Sequence, residues 1–301
     1  MLSMRTDFSQ IGRFAPSPTG DLHFGSLVAA VGSYLQAKSS GGHWLVRVED
    51  IDPPREVPGS AERLLSELDR FGMKSDAPVL FQSRRTAAYE SALQNLLASG
   101  QAFWCGCSRS DLPASGVYPG TCRNGLPPGK LPRSVRVKVG NSTIRFIDRV
   151  QGEVEERLAD ITGDFVIWRA DGLPAYQLAV VVDDAYQKIT EVVRGMDLIG
   201  STARQIHLQD CLELPRPDYA HLPLAVDSSG KKLSKRLGSD PVSTLPTVRA
   251  LEEALEFLGQ NCETGLELEQ LWEHALRNWS LERVPKSCGA PVSGAGKPKS
   301  S

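Results

Sequence analysis

The first hundred residues alternate strand-like runs with segments of helical spacing, and that alternation leaves few folds open to the chain. Ile11–Phe14 is a short strand-like run. Residues 26–38 then place Leu27, Val31, Tyr34 and Leu35 on one helical face, Gly41 and Gly42 break the helix, and His43–Val48 reads as a second strand. A strand, a helix and a strand in this order form a βαβ unit. A helix over about 59–71, an apolar run at 79–82 and a helix over about 86–99, with Leu93, Leu96 and Leu97 on one face, continue the series. The pattern predicts a doubly wound, Rossmann-type α/β domain, a parallel sheet with helices on both sides.

Residues 105–133 interrupt this rhythm, being poor in aliphatic side chains and rich in Gly, Pro and Cys, and read as an inserted small module. A β-rich stretch (134–139 and 143–148) leads out of it. From Asp164 the alternation resumes, with a strand at 165–169, a helix at 175–186, a strand at 189–194 and a helix at 202–212, which predicts that the sheet is completed after the insertion. Two helical patterns follow at 247–258 and 266–277, and the segment from Pro285, rich in Gly, Ser, Pro and Lys, has the composition of a disordered tail. No internal repeat is visible.

Composition sets outer limits. The chain has 301 residues and 41% apolar side chains, enough for a substantial core. With 34 Lys and Arg against 36 Asp and Glu, any contact with nucleic acid must come from a local basic surface. No run approaches the roughly 18 apolar residues that would span a bilayer, and residues 1–10 lack the apolar stretch of a secretory signal, so a cytoplasmic protein without a membrane partner is expected.

Two segments carry chemistry. Residues 13–20 read Arg-Phe-Ala-Pro-Ser-Pro-Thr-Gly where the first strand ends, and His23, Phe24, Gly25 and Ser26 open the following helix. Open α/β sheets bind ligands beyond the carboxyl ends of their strands, and a helix N-terminus offers unpaired N–H groups to phosphate. Gly20 and Gly25 allow close backbone approach while Pro16 and Pro18 stiffen the turn. A Pro- and Gly-rich connection with a core-facing His23 would show the same residues. The second segment, 230–236, reads Gly-Lys-Lys-Leu-Ser-Lys-Arg, and alone it is a solvated basic patch.

Together the two resemble the signature pair of the class I aminoacyl-tRNA synthetases: 23–26 matches the HIGH sequence in degenerate form and 232–236 matches KMSKS. Within that class, residues 13–20 and the run Val46-Arg47-Val48-Glu49-Asp50-Ile51-Asp52 resemble the glutamyl members, the likeness extending over 11–236. The resemblance implies ATP-dependent activation of glutamate. It divides the chain into a first half of a nucleotide-binding domain (1–104), the inserted module (105–133), a β-rich connection with the second half and the basic loop (134–240), a short helical region (241–284) and the tail (285–301).

Adenylation needs no protein nucleophile, because the substrate carboxylate attacks the α-phosphorus itself, and catalysis is positioning and charge stabilisation. His23 and Lys235 are the catalytic candidates: His23 can donate to phosphate oxygens, and Lys235 can follow the charge onto pyrophosphate. ATP is assigned to Pro16, Ser17, Gly20, His23, Gly25, Ser26, Lys232, Ser234 and Lys235, with Mg²⁺ accompanying it. Binding glutamate means matching a carboxylate with arginine. Arg13 and Arg194 both fall near strand ends, and the resemblance makes them the side-chain carboxylate ligands, with Glu49 on the α-amino group and Phe14, Ala15, Pro16, Ser17 and Tyr176 as further contacts. Ordinary ion-paired arginines, and a structural cluster of Arg47, Glu49, Asp50 and Asp52, are the competing readings.

The six cysteines do not form a disulfide framework in a chain of this size, and three of them crowd into 105–122. Cys105, Cys107 and Cys122 supply three thiolates of a structural zinc site, which wants a fourth ligand. Asp111 is an ordinary choice; resemblance to truncated glutamyl relatives points instead to Tyr118. Three free thiols in a loop is the alternative.

A complete glutamyl-tRNA synthetase carries a helical anticodon-binding region after its KMSKS loop, whereas 65 residues follow Arg236 here. The chain resembles instead the truncated glutamyl-queuosine tRNA(Asp) synthetase family, which implies tRNA-independent activation of glutamate and its transfer to queuosine in the anticodon loop of tRNA-Asp. A splayed loop base is an RNA element that proteins read readily. Arg123, Lys130, Arg133, Arg136, Lys138, Arg145 and Arg149 are candidate RNA contacts, a solvated β-face being the alternative. A minimal synthetase charging a tRNA 3′ end, and a catalytically inactive zinc-containing RNA-binding module, are the other functions considered. Nothing in the sequence demands a protein partner, and a monomer is expected.

Overall fold

The computed structural model describes residues 10–226, 242–286 and 290–291. Strand β1 (Ile11–Phe14) runs parallel to β2 (His43–Val48), with Arg13 opposite Leu45 and Phe14 opposite Val46. Between them lies α1 (Phe24–Lys38), which buries Leu27, Val31 and Leu35 as its spacing predicts. It begins two residues earlier than the apolar periodicity suggested, because His23 caps it: His23 Nδ1 accepts the Ser26 N–H at 3.2 Å. Helix α2 (Ser60–Arg70) leads to β3 (Leu80–Phe81), parallel to β2, and α3 (Thr86–Ala98) completes the first half.

The chain then leaves the parallel sheet for longer than expected. Strands β4 (Ala102–Cys105), β5 (Ser134–Val137) and β8 (Phe165–Trp168) form a separate antiparallel sheet in the order β4-β5-β8. The strand expected at 165–169 to rejoin the parallel sheet is instead the edge of this one. Its run Phe-Val-Ile-Trp fits either environment, and Phe165 and Ile167 are buried under α3 and α5. A hairpin, β6 (Ile144–Asp148) and β7 (Gly152–Glu156), and the single turn α4 (Leu158–Ile161) lie between.

Helix α5 (Tyr176–Tyr186), strand β9 (Glu191–Gly195), helix α6 (Ile199–Cys211) and strand β10 (Asp218–Leu222) restore the parallel pattern, β9 pairing with β10 from Glu191 opposite Asp218 to Gly195 opposite Leu222. Strand β10 was not apparent in the sequence. It is one of the two inner strands of the set β7-β6-β10-β9, and β9 abuts β1 through Thr190 N–H, which donates to Ile11 O at 2.9 Å. The carboxyl ends of β1, β2 and β9 therefore open on one edge.

Helices α7 (Thr247–Phe257) and α8 (Leu268–Asn278) pack onto α1 as part of the same core. The Trp272 ring meets Tyr34 with centroids 4.9 Å apart and its Nε1 donates to Phe71 O at 2.7 Å, while Phe24 meets Phe257 edge-on at 5.8 Å. The basic loop at 231–236 lies outside the described residues, as does the tail apart from 285–286 and Ala290–Pro291. Ala290–Pro291 pairs in parallel with Ala225–Val226.

Candidate active site

A cavity of about 500 Å³ opens where the carboxyl ends of β1 and β9 meet the N-terminus of α1. Every candidate ATP- or glutamate-binding residue that the structure describes lines it: Arg13, Phe14, Ala15, Pro16, Ser17, Gly20, His23, Gly25, Ser26, Glu49, Tyr176 and Arg194. Lys232, Ser234 and Lys235 lie outside the described residues. The size and the convergence of polar groups suit a small polar substrate together with part of a nucleotide.

The turn after β1 is fixed by its backbone. Glu49 N–H donates to Pro16 O and Val57 N–H to Pro18 O, both at 2.9 Å, and Gly20, at φ 135°, exchanges hydrogen bonds with Ser60 Oγ. At Gly25 an added Cβ would stand 3.3 Å from His23 Cε1, so glycine here leaves room for the imidazole over the helix end. His23 Nε2 lies 3.0 Å from Ser26 Oγ. One face of the cavity is therefore a helix N-terminus carrying an imidazole and a hydroxyl, a surface suited to phosphate.

The opposite face is a buried charge cluster. Arg13, 3% exposed, donates Nε to Asp184 Oδ1 at 3.2 Å and Nη1 to Val193 O at 3.5 Å. Arg47, fully buried, donates to the same Asp184 oxygen at 2.8 Å, to Gln187 Oε1 at 2.8 Å and to Glu49 Oε1 at 3.4 Å. Burial alone would raise the Asp184 pKa, but Arg47 and Arg13 outweigh it and hold the carboxyl below its usual range. For Glu49 burial wins over the same two arginines, and its pKa is raised. Arg194 sits on β9 with its guanidinium spread between His221, Thr202 and Tyr176, and burial raises the Tyr176 hydroxyl. Two cationic forks and one carboxylate thus face a common space, the complement of a molecule with a carboxylate at one end and an ammonium at the other.

Arg47, Asp184, His221 and, through His221, Asp148 back the lining residues of this site; Asp148, Asp184 and His221 were not singled out from the sequence, and Arg47 was named there only as part of a structural cluster. One signal was available: Asp183 and Asp184 are adjacent on an otherwise apolar helix, where buried carboxylates need cationic or hydrogen-bonding partners. Asp183 finds Gln82, Arg85 and Tyr89.

The cysteine module has its own small core. The sulfurs of Cys105, Cys107 and Cys122 are buried and lie within 4.8 Å of one another, so the cluster could hold a metal ion. Cys107 and Cys122 sulfurs are 3.7 Å apart, close to the roughly 3.8 Å that tetrahedral geometry with ~2.3 Å zinc–sulfur bonds would give. Tyr118 Oη is 3.5 Å from Cys105 Sγ and accepts the Cys122 N–H at 2.8 Å. Asp111, by contrast, is turned to Ser108 and to Lys130 Nζ at 2.9 Å. Burial works against ionising Cys105, yet Tyr118, the Cys107 N–H and Arg136 bring its thiol down to about 7, while burial pushes Cys107 up to about 11. Arg136 is buried, donates to Cys105 Sγ at 3.3 Å and lies 4.0 Å over the Tyr118 ring. It supports this module from inside and is withdrawn as an RNA contact. Arg123, Lys130, Arg145 and Arg149 are ion-paired with Asp164, Asp111, Glu155 and Glu191.

Among the described residues no helix is long and apolar enough to cross a membrane. The family described as tRNA synthetases class I (E and Q), catalytic domain, matches residues 11–115 and 126–258. The chain is 51% identical to a glutamyl-Q tRNA(Asp) synthetase of Aromatoleum aromaticum, over 95% of this chain and 93% of that one. It is 47% identical to the protein of the same description from Pseudomonas aeruginosa, over 94% and 98% of the two chains. Among solved structures it resembles a glutamate-tRNA synthetase from Elizabethkingia anophelis, at a TM-score of 0.77 and 27% identity, covering 95% of this chain and 68% of that one. A glutamate tRNA ligase from Elizabethkingia meningosepticum in complex with its amino acid gives a TM-score of 0.75 at 26% identity, covering 95% and 67%.

Proposed function

The chain belongs to the glutamyl-Q tRNA(Asp) synthetases, within the class I tRNA synthetases for glutamate and glutamine, and from this we infer the part each residue of the cavity plays. Its reaction is activation of glutamate with ATP and transfer of the glutamate to queuosine in tRNA-Asp. The observation that carries the assignment of the site is the convergence of Arg13, Glu49, Tyr176 and Arg194 on one cavity beside the N-terminus of α1.

Arg13 and Arg194 bind the glutamate side-chain carboxylate, and Glu49 takes the α-ammonium. Held this way, the α-carboxylate faces the helix end, where His23, Ser26 and the backbone N–H groups receive the phosphates of ATP, the nucleotide packing along Pro16, Ser17, Gly20 and Gly25. The α-carboxylate oxygen attacks the α-phosphorus, the bond to the bridging oxygen breaks, and pyrophosphate leaves with its charge met by Lys235, Lys232 and Ser234; Mg²⁺ accompanying the ATP would add further charge stabilisation. A nucleophile of the acceptor base then attacks the adenylate carbonyl and AMP leaves. No RNA group takes part in the first step.

Zinc is the metal that suits three buried thiolates with a phenol beside them, and Cys105, Cys107, Tyr118 and Cys122 would hold it. Its contribution is structural, tying a loop-rich module with little apolar core of its own.

Glutamate-dependent ATP–pyrophosphate exchange without RNA tests the reading. Exchange is expected with glutamate and not with glutamine or aspartate, and Arg194→Ala is expected to raise the glutamate KM selectively. Labelled glutamate should then appear on tRNA-Asp and resist trimming of the 3′ end. Label lost with the 3′ end would establish charging of a tRNA terminus instead.

A further inference from the structure

Arg194 is held from behind by a buried relay. Its Nε donates to His221 Nε2 at 3.0 Å, its Nη2 to Thr202 Oγ1 at 3.0 Å and to Leu198 O at 3.4 Å, and only Nη1 points along the cavity, 3.4 Å from Tyr176 Oη. A guanidinium has donors and no acceptor, so His221 Nε2 must be the acceptor in the first of these bonds. The imidazole proton is then on Nδ1, which donates to Asp148 Oδ2 at 2.5 Å. The other Asp148 oxygen accepts three backbone N–H groups, from Gln151 at 2.8 Å, Val150 at 3.0 Å and His221 at 3.1 Å. The side chains of Asp148 and His221 have no solvent exposure, and the Tyr219 ring runs nearly parallel to the imidazole with centroids 6.4 Å apart.

We propose that Asp148 and His221 are positioning residues for glutamate recognition: Asp148 fixes the His221 tautomer, and the Nε2 lone pair so exposed draws Arg194 Nε back, leaving Nη1 as the edge that meets the substrate carboxylate. This rests on the reading of Arg194 as a glutamate ligand. The surroundings agree with a neutral ring, since burial lowers the proton affinity of His221, with Arg194 and Arg13 adding to it against the pull of Asp148.

The saturation of Asp148 Oδ1 makes the idea testable. In Asp148→Asn the three backbone donors keep the amide oxygen in place, so the amide NH₂ faces His221 Nδ1. The imidazole must then carry its proton on Nε2, opposing the Arg194 Nε–H. His221→Asn keeps a donor toward Asp148 and has nothing at the Nε2 position, whereas His221→Gln can place its amide oxygen there.

The measurements are glutamate and ATP KM values from pyrophosphate exchange by the full-length enzyme, with Arg194→Ala alongside. Asp148→Asn and His221→Asn are expected to raise the glutamate KM by about tenfold or more, the factor for losing one hydrogen bond to a charged group, with the ATP KM unchanged and His221→Gln near wild type. Imidazole ¹⁵N shifts should report the proton on Nδ1 in wild type and on Nε2 in Asp148→Asn. An unchanged glutamate KM in His221→Asn while Arg194→Ala raises it would overturn the inference and leave the role of Arg194 standing. An unchanged KM in Arg194→Ala removes that role and the inference with it. If glutamate and ATP KM rise together, or His221→Gln is as impaired as His221→Asn, the relay is structural and the proposal fails. Should Asp148→Asn not fold, the two His221 variants decide.

Discussion

The replacement Asp184→Asn tests the charge cluster most directly. Arg13 Nε and Arg47 Nη1 both end on the one oxygen Oδ1, at 3.2 and 2.8 Å, and the carboxylate is 7% exposed. Asparagine can keep an oxygen at that point, so the geometry survives and the charge is lost. Two charge-assisted hydrogen bonds then fall toward the strength of a charged donor on a neutral acceptor, a loss of about 1 kcal/mol each, and Arg13 is left with two neutral acceptors, the amide oxygen and the Val193 carbonyl at 3.5 Å. Removing one member of a fully buried pair costs about 3–5 kcal/mol when the bonds go as well, so we expect about 2–4 kcal/mol here. For a chain of this size that is a fall in Tm of roughly 3–6 °C. Urea unfolding and calorimetry measure it, and pyrophosphate exchange should show a raised glutamate KM as Arg13 loses its anchor. The pH dependence adds a signature. The folded pKa of Asp184 lies below its ordinary 3.8, so its contribution is complete above that value and fades as the pH falls toward the lower folded one; the gap between wild type and variant must close in acid. A variant within about 0.5 kcal/mol of wild type at neutral pH, the scale of ordinary surface changes, with an unaltered glutamate KM would refute the reasoning.

Glu49 must be ionised to hold an ammonium group, and burial raises its pKa above the ordinary 4.5, so the glutamate KM should climb as the pH falls through that raised value; Glu49→Gln should have a KM about ten- to a hundredfold higher that no longer follows pH in this range. Dialysis against a strong chelator should remove a single zinc and lower the Tm. By elemental analysis Cys122→Ser and Tyr118→Phe should bind zinc more weakly while Asp111→Ala retains it; the reverse order would make Asp111 the fourth ligand. Lys235→Ala should slow exchange by about a hundredfold or more with an unchanged unfolding midpoint, and a variant that unfolds instead would show the loop to be structural.

What could be read from the sequence is what is encoded between chain neighbours. The apolar face of α1, the double-glycine break before β2 and the Pro-rich turn after β1 each specify a local conformation, and with the resemblance they located Arg13, His23, Glu49 and Arg194 before any geometry was known. What escaped was pairing across distance. The Phe-Val-Ile-Trp run of β8 has the composition of a buried parallel strand and serves as an antiparallel edge, because its partner β5 lies beyond a hairpin whose second strand, β7, no local pattern announces. Strand β10, Asp-Tyr-Ala-His-Leu, looks too polar for the middle of a sheet; it is stable there because its histidine meets Asp148, which is 73 residues away. Buried charge could nevertheless have been asked for. Arg47 lies between Val46 and Val48 in a strand that the fold must cover on both faces, and Asp183 and Asp184 occupy a helix whose other residues are almost all apolar. A guanidinium and a carboxylate in such places are tolerable only together, so a parallel sheet with a crossover helix already implies that Arg47 and an aspartate of α5 are partners. Arg13, which we propose binds glutamate, then lands on the same carboxylate oxygen, so the scaffold and the cavity cannot be altered separately at this point.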